Sequence, residues 1–248
     1  MKTVEIFDIL NKLYPVENAC DFDNVGFLVG DKDAEITCVL VALDCDYAAI
    51  DEAVRCGANL IVTHHPIIFN PLKTVTAESV VYKAIKNGVS VISMHTNLDV
   101  GIGGVNDCLC KALGFEDFKT YIASDGYGLR LAEISKCDSK TLAKRLKEKL
   151  NCEIKYVDGG RPIKKVLVCS GSGGDFIKEA VKSGADALVT ADVKHNFFLD
   201  AKNFGISLFD AGHYSTEDVV VEPLAEIIRS NAKAIDVFTF HPQHINWA

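Results

Sequence analysis

Residues 3–14 place Ile6, Phe7, Leu10 and Leu13 at helical spacing on one face, with Thr3 as the expected N-cap and Pro15 closing the segment. The pattern returns at 139–150, where Ser139 is the expected cap and Leu142, Leu146 and Leu150 share a face. Each helix leads into a short apolar run, at 25–29 and at 152–157. Beyond these, brief Val/Ile/Leu runs alternate with helical patterns. Strands are expected at 60–63, 89–94, 165–169 and 206–210, and helices at 175–183 and from His213 to Ile228. Such runs suit strands covered on both faces and joined by crossover helices.

The two stretches are copies. At an offset of 127 residues, Val39-Leu40-Val41 falls on Val166-Leu167-Val168, Glu52-Ala53-Val54-Arg55-Cys56-Gly57-Ala58 on Glu179-Ala180-Val181-Lys182-Ser183-Gly184-Ala185, and Val62-Thr63 on Val189-Thr190. With ten fewer residues in the second copy, Gly88-Val89-Ser90-Val91 matches Gly205-Ile206-Ser207-Leu208, and each stretch runs on to a histidine, His95 or His213. The expectation is an α/β chain of two α-β-(βα)3 repeats, 1–124 and 125–248.

Composition narrows the setting. The chain has 248 residues, of which 48% are apolar and 24% charged, enough for a substantial core. No apolar run approaches the roughly 20 residues that span a bilayer, and the start, Met1-Lys2-Thr3-Val4-Glu5, does not resemble a secretory signal. A cytoplasmic address is expected. The nine cysteines include no C-x-x-C pair, and Cys108 and Cys110 fall in a helical pattern, so reduced, buried thiols are expected. A net charge of −8 argues against sequence-independent nucleic-acid binding, which needs a basic face.

The candidate chemistry lies at the strand ends, where open α/β sheets form their sites. His64 and His65 end the 60–63 strand, His95 and Asp99 follow 89–94, and His213 and Glu217 follow 206–210. Adjacent residues in a regular strand point to opposite faces, so His64 and His65 serve together only beyond its regular part; Pro66 keeps that stretch extended. His213 and Glu217 have the i, i+4 spacing of one helical face. Three imidazoles and two carboxylates, His64, His65, Asp99, His213 and Glu217, are donors for about two divalent ions. Zn, Mn, Fe, Co and Ni all suit such an N/O set. Two carboxylates balance two dications only in part, which favours a bound hydroxide and a small anionic or carbonyl substrate.

Other positions are candidates of a different kind. Asp44 is a candidate to orient a ligating imidazole, with capping of the next helix as the alternative. His95 and His195 are candidate acid/base groups. Gly171, Gly173 and Gly174, in Ser170-Gly171-Ser172-Gly173-Gly174, are a candidate phosphate cradle before a helix, with a plain tight turn as the alternative. His241 and His244 are expected to lie outside the site.

At these residues the chain resembles the Nif-three-like proteins, also called GTP cyclohydrolase I type 2 homologues or dinuclear metal-centre hexameric proteins. The resemblance runs nearly end to end, through D-N-V-G-F-L-V-G at 23–30, V-A-L-D at 41–44, V-T-H-H-P-I-I-F at 62–69, H-T-N-L-D at 95–99 and G-H-Y-S-T-E at 212–217. It implies a dinuclear metal centre on His64, His65, Asp99, His213 and Glu217, between two intertwined α/β lobes, in a homohexameric ring. Phe22 stands where the family usually has Trp, and Ala191 where it has Gly. The implied activity is metal-dependent hydrolysis, by the family name the opening of the guanine imidazole ring of GTP with release of formate. Phosphoester hydrolysis and a non-catalytic metal-binding ring scaffold are the alternatives; no G-x-x-x-x-G-K-[ST] loop is present.

Overall fold

The computed structural model describes residues 1–242 and 245, so His244 lies outside the described residues. The first repeat runs α1 (Thr3–Leu13), β1 (Gly26–Val29), β2 (Cys38–Ala42), α2 (Tyr47–Cys56), β3 (Leu60–Thr63), α3 (Val80–Lys86), β4 (Ser90–Ser93) and α4 (Thr96–Val100). After α5 (Val105–Ala112) and a hairpin of β5 (Asp117–Ile122) and β6 (Gly128–Cys137), the second repeat follows. It comprises α6 (Ser139–Leu150), β7 (Lys155–Val157), β8 (Ile163–Ser172), α7 (Ile177–Lys182), β9 (Ala187–Ala191), α8 (His195–Phe204), β10 (Ser207–Asp210) and α9 (His213–Glu217). Two further elements, α10 (Val221–Asn231) and β11 (Asp236–Phe240), end the chain's described fold. Both repeats are α-β-(βα)3.

The sheets carry the same duplication. One has the order β1-β4-β3-β2-β11 and the other β5-β6-β8-β9-β10-β7. In each repeat the three central strands are parallel and the first short strand pairs antiparallel with the last of them, β1 with β4 and β7 with β10. The neighbours differ: β2 takes the parallel β11, whereas β8 takes the antiparallel β6. The chain packs as two compact units, Met1–Gly101 with α10 and β11, and Ile102–Val219. The units differ in extent from the sequence repeats because β11 pairs with β2 in the first sheet and α10 goes with it.

Alternation along the strands buries both faces of the second sheet. Val166, Val168, Val189 and Phe209 pack with Leu142 and Leu146 of α6 on one face; Leu167, Leu188 and Leu208 pack with Ile177 and Ala201 on the other. In the first unit Leu40, Ile61 and Val91 meet Ile50 and Ala53 of α2 and Val81 and Ala84 of α3. Burial of this kind contributes roughly 25 cal/mol per Å² of apolar surface, which fixes the strand register.

Several local expectations are corrected. Thr3 is the first residue of α1 rather than its cap, and its hydroxyl donates to the Ala34 carbonyl. Of its apolar face, Ile6 and Leu10 are buried but Leu13 is 49% exposed. Asp138, not Ser139, caps α6 by accepting from the Thr141 N–H at 2.7 Å; the Ser139 hydroxyl donates instead to Asp158 at 2.8 Å. The helix expected at 175–183 starts as a 3-10 turn, Gly174–Phe176, before α7, and the helical path from His213 is broken by a 3-10 turn at Asp218–Val220. All nine cysteines are free thiols. No helix among the described residues is long and apolar enough to cross a membrane.

Candidate metal centre

In the first unit the register sets the site. Thr63 at the end of β3 lies opposite Ala42 of β2 and Ser93 of β4, so the residues that follow these three strands emerge at one edge. The backbone bends at His64 and His65, where the Thr63 hydroxyl donates to the His65 carbonyl at 2.8 Å and the His65 N–H to Leu43 O at 2.9 Å. Free of strand alternation, the two imidazoles lie side by side with centroids 5.0 Å apart. His95, which caps α4, brings its ring to 5.1 Å from His64 and 5.7 Å from His65. One ring nitrogen of each of His64, His65 and His95 lies within 4.8 Å of the others.

Each imidazole is held from behind. His64 Nδ1 lies 2.9 Å from the Met94 carbonyl, His65 Nδ1 2.7 Å from Asp44 Oδ1 and His95 Nδ1 2.9 Å from Asp23 Oδ1. An oxygen acceptor on Nδ1 places the proton there and leaves Nε2 with a lone pair that could serve a metal ion, an arrangement common among metal-binding histidines. Asp99, buried on α4, brings Oδ1 to 3.6 Å from His64 Nε2. Burial opposes ionisation of Asp23, but hydrogen bonds from His95 and from the Thr96 hydroxyl and N–H outweigh it and hold the carboxyl down at about 2. Cys45, next to Asp44, is no thiolate, because burial pushes it up to about 12. The donors here are N and O.

In the second unit α9 presents His213 and Glu217 one turn apart, with His213 Nε2 2.9 Å from Glu217 Oε2. His213 Nδ1 lies 2.7 Å from Asp192 Oδ2, so this imidazole too is backed by a carboxylate. Glu217 is buried and fills space that Gly171 leaves open: a Cβ at Gly171, where φ is +57°, would stand 2.0 Å from Glu217 Oε1. These donor sets fit a borderline divalent ion.

The expected phosphate cradle meets a different arrangement. The N–H groups of Ser170, Gly171 and Gly173 donate to Asn106 Oδ1, Thr216 Oγ1 and Thr190 Oγ1, at 2.8, 3.1 and 2.8 Å. Gly173 and Gly174 lie where a side chain would strike Thr190 and Phe197. The turn is tied to the protein's own oxygens. His195 is exposed on the first turn of α8, apart from any clustered donors among the described residues, and His241 is likewise exposed. The sequence reading missed Asp23 and Asp192 as supports. Asp23 stood in a quoted motif, D-N-V-G; Asp192 stood directly after β9, beside Ala191, where the family usually has Gly.

The model of the Duf34/NIF3 (NGG1p interacting factor 3) family matches residues 1–244. The chain belongs to that family. Its relatives include proteins named "GTP cyclohydrolase 1 type 2 homolog" from Clostridium perfringens, 36% identical with 92% of both chains covered, and from Clostridium acetobutylicum, 34% identical over 88% of this chain and 85% of the relative. Among solved structures, a Staphylococcus aureus hypothetical protein superposes on this NIF3-family fold with a TM-score of 0.90 at 29% identity, covering 100% of this chain and 99% of that one.

Proposed function

We propose that the chain is a hydrolase dependent on two divalent metal ions, held by His64, His65, Asp99, His213 and Glu217. The observation that carries the reading is the shared build of the imidazoles: four of them, His95 included, fix Nδ1 against an oxygen and so turn Nε2 toward a ligand. Bound ions would supply Lewis acidity toward a carbonyl or phosphoryl oxygen and bring the ionisation of water near neutral pH. The chain's own residues do the rest. Glu217, buried beside His213, would supply a carboxylate to the ions. His95, locked by Asp23, is positioned to hand a proton to a leaving group or accept one from water.

The names of the relatives direct the substrate reading to a nucleotide, with hydrolytic opening of the guanine imidazole ring of GTP and release of formate as the reaction. The ion charge left uncompensated by two carboxylates suits such an anion. We also place six chains in a ring and the protein in the cytoplasm, where nine free thiols stay reduced. The test is a panel of nucleotides, cyclic nucleotides and phosphoesters offered to metal-loaded protein. Formate from GTP, lost at least about 100-fold in His64→Ala, supports the reading. Cleavage of a phosphoester without formate would replace it with phosphoesterase chemistry, and no turnover of any kind would leave a metal-binding scaffold.

A further inference from the structure

Asp192 has a backbone that its secondary structure does not require. Its φ is 51°, in the left-handed region that residues other than glycine rarely enter, although Asp and Asn tolerate it best. The other such residue among those described, Asn151 with φ 49°, ends α6 as its C-cap, where left-handed backbone is routine. Asp192 ends no helix. It follows β9, and its carboxylate lies against His213 Nδ1 at 2.7 Å. An uncommon backbone that persists where no cap or turn demands it points to a demand on the side chain.

The internal duplication shows what that demand is. In the first repeat a carboxylate after β2, Asp44, backs an imidazole after β3, His65, 21 residues on and at 2.7 Å. In the second repeat the same pairing, again 21 residues apart and at 2.7 Å, has moved one strand along: a carboxylate after β9 backs an imidazole after β10. At the copies' offset of 127, Asp192 occupies the position of His65, and Gly171 that of Asp44. The shift is coherent, because Gly171 opens the space Glu217 fills. The second copy lacks the carboxylate after β8 and the imidazole after β9, and has the same pair after β9 and β10 instead.

We infer that Asp192 is the positioning residue of the second repeat, fixing the tautomer and direction of His213 so that Nε2 meets a metal ion, as Asp44 does for His65. This rests on the metal-centre reading above. A carboxylate behind a ligating histidine raises its basicity and fixes its ring, and its loss typically weakens metal binding about 10- to 100-fold.

The backbone makes the test sharp, because Asp192→Gly removes the carboxylate while relieving the left-handed conformation. With Zn2+ as the probe and a chromophoric chelator as competitor, Asp192→Gly is expected to bind about 10- to 100-fold more weakly than the wild type. Its thermal midpoint should be unchanged or raised. Asp192→Asn keeps an oxygen for Nδ1 and should restore most of the affinity. Asp192→Gly that loads Zn2+ as tightly as the wild type, or that loses affinity only together with a lowered thermal midpoint, overturns the assignment. Wild-type protein that takes up no Zn2+ instead overturns the metal-centre reading itself, and the two failures are distinguishable.

Discussion

A methyl group at position 171 would meet the Glu217 carboxylate at 2.0 Å on a backbone with φ +57°. Gly171→Ala should therefore cost roughly 1–2 kcal/mol for the left-handed backbone and displace Glu217. Denaturant unfolding and metal titration on the same sample check this, and a variant that matches wild type in both would refute it. At this scale the candidate donors were legible in sequence, because histidines and acids recur there at the ends of apolar runs. Their supports were not. Asp23 reaches His95 across 72 residues, and Asp192 reads as an ordinary solvated acid until its neighbour in space is known.

Among the elements, α5 is tied to β6 by a buried ion pair. Arg130 and Asp107, 1% and 7% exposed, pair directly, while Arg130 Nη1 also donates to the carbonyls of Gly128 and Leu129. Arg130→Met would leave the Asp107 carboxylate buried without its cation, and denaturation should show a loss of about 3–5 kcal/mol. A second tie joins the β5–β6 loop to α7. Hydrogen bonds to Glu179 from Lys182, then Ser124 and Tyr121, hold its carboxyl down to about 2 against the opposing effect of burial. Because the folded-state value lies below the unfolded one of roughly 4.3, the tie contributes in full above that pH, weakens below it and is gone once pH falls through about 2. The stability gap between wild type and Glu179→Gln should thus be widest near neutrality and close in acid; a gap independent of pH would contradict it. The repeated α-β-(βα)3 order was legible because β3 and its counterparts are compact apolar runs between helices of clear period. The β5–β6 hairpin and β11 were not. The exposed residues of β5 carry weak alternation, and β11 finds its partner, β2, almost 200 residues back along the chain, beyond any local signal.

For the whole molecule, the internal match foresaw two repeats but not the chain's return, which places α10 and β11 with Met1–Gly101. A sequence offset records ancestry; packing answers to which apolar face remains uncovered, and α10 buries Val221, Leu224, Ala225 and Ile228. The ring proposed above predicts the mass of six chains by light scattering at micromolar concentration, and a monomer would contradict it. A dinuclear centre on the five proposed ligands has its sharpest test in metal content. Elemental analysis of protein reconstituted with Zn2+ and freed of excess should give close to two ions per chain for the wild type, with both lowered in Glu217→Gln. A wild type that retains no metal under these conditions would contradict the account.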